Sequence, residues 1–152
     1  MWGRYKDRRG NFTNREETQF HLAVELAIKS HIQKEYKVKV LREHFLILNR
    51  EDKIVSRPLE AITAAQKARR ELYRCPDLCW IDEKFQLWIL EVDGYVHHIK
   101  SGKTEKRNKI YEGNNCKFIT VDTYEMGKTR VGNRKIENII NDVDYAILVL
   151  RT

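Results

Sequence analysis

The run Leu87-Trp88-Ile89-Leu90-Glu91-Val92-Asp93-Gly94 constrains the fold more than any other stretch of the chain. Four consecutive large apolar residues leave no polar side to give to solvent, so they predict a β-strand covered on both faces, at the centre of a sheet. The strand ends in two carboxylates one residue apart. Successive side chains of a strand alternate faces, so Glu91 and Asp93 point the same way. At a separation of about 6 Å and an effective dielectric near 20 they repel by roughly 3 kcal/mol, and a positive group has to stand between them. A divalent cation is one such group, because hard carboxylate oxygens suit Mg2+ and Mn2+.

A third carboxylate lies on the neighbouring stretch. Residues 76–81, Pro-Asp-Leu-Cys-Trp-Ile, read as a strand that folds back beside 85–92 through a turn at Asp82, Glu83 and Lys84. The hairpin brings Asp77 within reach of Glu91, with the register left open. Beyond Gly94, which lets the backbone bend close to a ligand, come His97 and His98. Either could take a proton from an attacking water or return one to a departing oxygen. The segment after them carries Lys100, Lys103, Lys106, Arg107 and Lys109. A phosphate near the acids needs such cationic cover, and the planar fork of Arg107 matches a phosphate best.

The remaining pattern supplies the other layers. Asn14 as N-cap and the spacing of Phe20, Val24, Ala27 and Ile28 predict a helix over 15–33. Alternation in 36–41 predicts a half-buried strand, and a hairpin is expected across the turn at 49–52. Pro58 opens an expected helix over 58–72, one face of which is basic through Lys67, Arg69 and Arg70. A short helix is expected over 104–112, ended by Gly113 and Asn114 in left-handed conformation. Residues 116–122 read as a strand. The last segment reads as a helix through Ile136, Ile139, Ile140 and Val143, with an end that could revert to strand.

At 152 residues the chain fits one domain over 15–152, preceded by a basic arm at 1–14 in which Arg4, Arg8 and Arg9 mingle with aromatic side chains. There are 29 Lys and Arg against 22 Asp and Glu, a net charge of +7, which favours polyanions and makes DNA the expected partner. Cys75, Cys79 and Cys116 show neither a disulfide framework nor the tight spacing of a zinc site. No signal-peptide pattern opens the chain, and no apolar stretch approaches the roughly 20 residues of a membrane span. A soluble protein of a reducing, cytoplasmic compartment is expected. A homodimer is an assembly open to it.

The stretch 76–94, with His97 and His98 after it, resembles the core of the PD-(D/E)XK nucleases, and among them the small very-short-patch-repair (Vsr-like) endonucleases. The resemblance covers 74–122. It implies an α/β fold, a mixed central sheet flanked by helices in the order αβββαβ, here with an inserted hairpin and helix at 36–72. It implies an Mg2+- or Mn2+-dependent endonuclease that hydrolyses DNA phosphodiester bonds. Asp77, Glu91 and Asp93 with the Val92 carbonyl would hold the metal, His98 or His97 would act as acid or base, and Glu17 would be the first-helix acid common in that superfamily. The position two beyond the acid, usually lysine there, is Asp93 here. The missing cation would come from a histidine, the metal, or a lysine moved to the helix, such as Lys106 or Lys109. Two other readings stand beside this one: a binding module on a nuclease scaffold without turnover, and an RNA-cleaving relative.

Overall fold

The computed structural model describes residues 5–6, 12–13, 15–44, 46–48, 51, 53–54, 73–94, 101–126 and 131–151. The expected helix over 58–72 lies outside them, as do most of the basic arm and the segment 95–100. In chain order the described elements are β1 (Tyr5–Lys6), β2 (Phe12–Thr13), α1 (Arg15–Tyr36), β3 (Val40–Arg42), β4 (Leu46–Ile47), β5 (Tyr73–Arg74), β6 (Leu78–Ile81) and β7 (Leu87–Asp93). They continue with α2 (Ser101–Glu112), β8 (Cys116–Asp122), β9 (Tyr124–Met126), β10 (Val131–Asn133) and α3 (Ile136–Arg151).

The central sheet has the order β3-β6-β7-β8. Its first three strands are antiparallel neighbours, and β8 runs parallel to β7, reached through α2. The sheet is therefore mixed, and α1, β3, β6, β7, α2 and β8 follow in the order αβββαβ. All seven residues of β7 are buried, as its apolar run requires.

Alternation along β7 sorts the two faces. Trp88, Leu90 and Val92 pack with Leu78 and Trp80 against Val24, Ile28 and Ile32 of α1 and Ile139, Val143 and Ile147 of α3. Trp80 and Trp88 are directly paired across the strands and stacked, with ring centroids 5.7 Å apart. Leu87 and Ile89 face the other way, onto Leu46, Cys79 and Tyr111 of α2. Glu91 and Asp93 continue this second face by parity.

Several element ends differ from the sequence reading for local reasons. Helix α1 runs to Tyr36, because that ring packs against the core and its hydroxyl donates to Asp144 Oδ1 at 2.8 Å. Lys37 then stops the helix in left-handed conformation (φ 56°), so the strand expected from 36 begins at Val40. Helix α2 begins at Ser101, and neither Gly113 nor Asn114 ends it with a positive φ. The Asn114 side chain closes it instead, donating from Nδ2 to the Ile110 carbonyl at 2.6 Å and accepting the Ile54 N–H on Oδ1 at 2.8 Å. Helix α3 stays helical to Arg151, since Ile147 and Leu150 extend its buried stripe. In the region of the first expected hairpin, Leu48 bridges Ile54 in antiparallel fashion, while β4 itself pairs with β5.

Candidate metal centre and its acidic surroundings

The pairing Leu78↔Leu90 puts Asp77 opposite Glu91 at the point where the β6–β7 ladder ends. There the two carboxylates replace ladder acceptors reciprocally. Val92 N–H donates to Asp77 Oδ2 at 2.7 Å, and Asp77 N–H donates to Glu91 Oε1 at 3.0 Å. Each strand end is thus stapled to the other by a backbone-to-carboxyl hydrogen bond, which holds both acids in fixed orientation.

Two groups of side chains flank this staple. On the α1 side, His21, Glu25 and Asp77 each offer a donor atom, all within 4.8 Å of one another. His21 and Glu25 stand one helical turn apart, with His21 Nδ1 3.8 Å from Glu25 Oε1. His21 Nε2 lies 2.5 Å from the Val92 carbonyl oxygen and 3.8 Å from Asp77 Oδ2. A carbonyl oxygen only accepts, so Nε2 is the protonated nitrogen in this arrangement. Glu25 is 3% exposed, and its Oε2 accepts from Arg42 Nε at 3.1 Å. Burial, then the charge of Asp77, push its carboxyl up to about 7 in spite of that arginine.

On the α2 side, Arg107 stands where a positive group was required. Its Nη1 and Nη2 donate to the two oxygens of Asp93 at 3.0 and 3.2 Å, and Nη1 is also 3.2 Å from Glu91 Oε2. Nε and Nη2 further donate to Asn108 Oδ1. From sequence, Arg107 was expected on a phosphate and Asp93 on a metal; in the structure they are bound to each other. Glu91 joins the two groups, since one oxygen meets Asp77 and the other Arg107. Burial and then the charge of Asp77 push its carboxyl up to about 8.

The other expected residues fall as follows. Lys106 and Lys109 are exposed on α2. With Glu51, Lys53, Ile110 and Gly113 they line an open cleft of about 330 Å³. Lys53 Nζ donates to the Gly113 carbonyl, so Lys53 and Ile54 are tied to the end of α2. Lys103 lies on α2 and Glu17 on α1, described by their backbone alone. Arg4, Arg8, Arg9, Lys67, Arg69, Arg70, His97, His98 and Lys100 lie outside the described residues.

The first-helix acid brought to Asp77 is Glu25, and Glu17 sits about 12 Å earlier along the helix axis. His21 and Glu25 were not singled out from sequence. Their signal was an acid flanking the apolar spine Val24-Ile28-Ile32, a place where an unpaired charge is costly, with a histidine one turn before it. The cysteines take no part: no disulfide joins them, and burial raises the Cys79 thiol to about 12 and the Cys116 thiol to about 11. Among the described residues no helix is long and apolar enough to cross a membrane.

The donor set fits a divalent cation: two carboxylates and an imidazole from α1 and the start of β6, beside a backbone carbonyl of β7. The chain is thus a mixed α/β fold carrying a candidate His/Glu/Asp metal-binding group at the ends of its central strands. Comparison with protein-family models, with curated proteins and with solved structures gives no match.

Proposed function

We propose that the protein is a metal-dependent endonuclease that hydrolyses phosphodiester bonds in DNA. The observation that carries this reading is the convergence of His21, Glu25 and Asp77 at the end of the central hairpin, with the Val92 carbonyl beside them. When bound there, a divalent cation supplies a Lewis acid and lowers the pKa of its water. Asp77 is the pivotal ligand, oriented before any ion arrives by the Val92 N–H. Glu91 is held at the same strand end by Asp77 N–H and Arg107, available to a second position around the ion. Arg107, locked by Asp93, puts a permanent positive charge beside the acids, a role that the resemblance gives to a lysine. The proton is handled by His97 or His98, four and five residues beyond the end of β7 in sequence.

The substrate class follows from charge. A net +7 favours a polyanion, and the Lys53, Lys106 and Lys109 cleft on α2 offers contacts for a phosphate backbone. Nicking of supercoiled plasmid by the purified chain with Mg2+ or Mn2+, abolished by Asp77→Asn, is the test. Labelled RNA and DNA duplexes run in parallel decide between the two nucleic acids. One observation favours the binding-module reading: the strand position of the usual lysine is spent on the Asp93–Arg107 pair. Equal DNA binding by wild type and Asp77→Asn, with no cutting under any divalent ion, would establish that reading instead.

A further inference from the structure

We propose that this centre selects a first-row transition ion over Mg2+, and that His21 is the residue that makes the selection. The inference rests on the metal-binding part of the reading above and not on its phosphodiesterase part.

Sequence alone pointed to an all-oxygen set, Asp77, Glu91, Asp93 and a carbonyl, which suits Mg2+ as well as Mn2+. The geometry alters that set in two ways. Asp93 is withdrawn from it, because both its oxygens receive the Arg107 fork. In its place a nitrogen donor arrives from α1. His21 Nε2 lies 2.5 Å from the Val92 carbonyl and 3.8 Å from Asp77 Oδ2, so its N–H points into the corner bounded by those two oxygens. A cation seated there would take Nε2 of the other neutral tautomer as ligand, the ring proton then standing on Nδ1, which faces Glu25 Oε1 at 3.8 Å.

Mg2+ holds its water tightly and is bound through carboxylates and phosphates. Imidazole nitrogen, in contrast, is a good donor to transition ions. A mixed set of one imidazole, two carboxylates and a carbonyl therefore favours the transition series. Mn2+ is the most informative probe, because it accepts the same oxygens as Mg2+ and differs chiefly in its response to the nitrogen. His21 is partly buried and stands one turn from Glu25, so the helix presents both donors as a preformed unit.

The experiment uses the full chain without nucleic acid. Affinities for Mn2+ and Mg2+ are measured by calorimetry for wild type, His21→Ala, His21→Gln and Asp77→Asn, and Mn2+-loaded protein is examined by electron spin echo spectroscopy for coupling to a nitrogen nucleus. The expected result is wild-type preference for Mn2+ of at least about tenfold, a fall toward unity in both His21 variants through loss of Mn2+ affinity, and loss of both ions in Asp77→Asn. A nitrogen coupling is expected in wild type and absent from His21→Ala. Equal affinities in wild type, a preference that survives both His21 substitutions, or no nitrogen coupling would overturn the inference. Circular dichroism identifies a variant that fails to fold, and the wild-type coupling then decides alone. A chain that binds Mn2+ through His21 and cuts nothing keeps this inference and loses the endonuclease reading. A chain that cuts with Mg2+ as well as with Mn2+ and shows no nitrogen coupling does the reverse.

Discussion

Two groups of acids flank the end of β7, and they differ in how their charge is met. On the α2 side, Asp93 is saturated by the fork of Arg107, whose side chain is 13% exposed. On the α1 side, Glu25 has one oxygen on Arg42, a guanidinium 32% exposed, and its other oxygen faces His21 at 3.8 Å. Asp77 has a backbone N–H and the same distant imidazole. One group is closed by the protein's own guanidinium, and the other is a candidate for an external cation. The difference teaches that an acid pair at a strand end can be met by the protein's own guanidinium. The pair obvious in the sequence, Glu91 and Asp93, received an arginine, while the group suited to an ion includes residues from a helix far away in the chain.

The strongest test of that division is Asp77→Asn. Asparagine keeps an oxygen for the Val92 N–H, so the fold should hold while the charged ligand is lost. If the α1 side is the working centre, metal-dependent nicking should fall by about 10³-fold or more with little change in melting temperature. Retained nicking would move the centre elsewhere.

Next in size is the closed side. Arg107→Met leaves Asp93 and Glu91 buried without their cation, which should destabilise the fold by about 3–5 kcal/mol. For a domain of this size that corresponds to a fall in Tm of roughly 10 °C. Arg42→Met should cost only about 1–2 kcal/mol, because Glu25, already raised to about 7, escapes an unpaired charge by taking up a proton. Equal losses from the two substitutions, read by denaturant unfolding, would erase the contrast between the groups.

How much of this contrast could be read beforehand depends on the range of the interactions. The β6–β7 hairpin and the central place of β7 were legible, because an apolar run, a short polar turn and Pro76-Asp77 are local signals. The need for a positive group beside Glu91 and Asp93 was also legible, being geometry within one strand. That Arg107 would meet it through Asp93 was not, because the helix phase of α2 is set by packing of Tyr111 on the sheet. His21 and Glu25 were hidden for the same reason: the helix was visible in its apolar spacing, but which side chain reached the strand ends depended on how α1 lies across the sheet. Tyr36 shows the same limit at a helix end, since its contacts with Asp144 and Arg151 come from α3.

A smaller effect follows from the protonation of the two buried glutamates. Glu25 and Glu91 rise from an ordinary 4.5 to about 7 and about 8 in the fold. Between those limits the folded chain holds protons that the unfolded chain has released, so stability is greatest at the acid end and falls as pH climbs through the window. Without divalent ions, Tm should be lower by several degrees at pH 8.5 than at pH 5.5. Glu25→Gln should flatten part of that slope. Saturating Mn2+ should also flatten it, because a cation favours the ionised acids that burial disfavours. A slope untouched by either would mean that Glu25 is not part of the open group.

The smallest effect concerns what approaches the open group. Lys106 and Lys109 lie on the exposed side of α2, around the cleft that Glu51 and Lys53 line from the other side, while Arg107 between them in sequence turns inward. Helix periodicity thus divides one basic run into an inward arginine that serves the acids and outward lysines left for a partner. If the lysines meet phosphates, each Lys→Ala change should weaken DNA binding only a few-fold, alike for all sequences, and lower the slope of log K against log salt by about one. Fluorescence anisotropy in Ca2+ over a salt series reads both quantities without cleavage. Arg107, by contrast, should alter that slope little in any variant that still folds, because its donors are already taken by Asp93 and Asn108. An Arg107 variant with the larger change in slope would show that the inward side chain, and not its outward neighbours, is the phosphate contact.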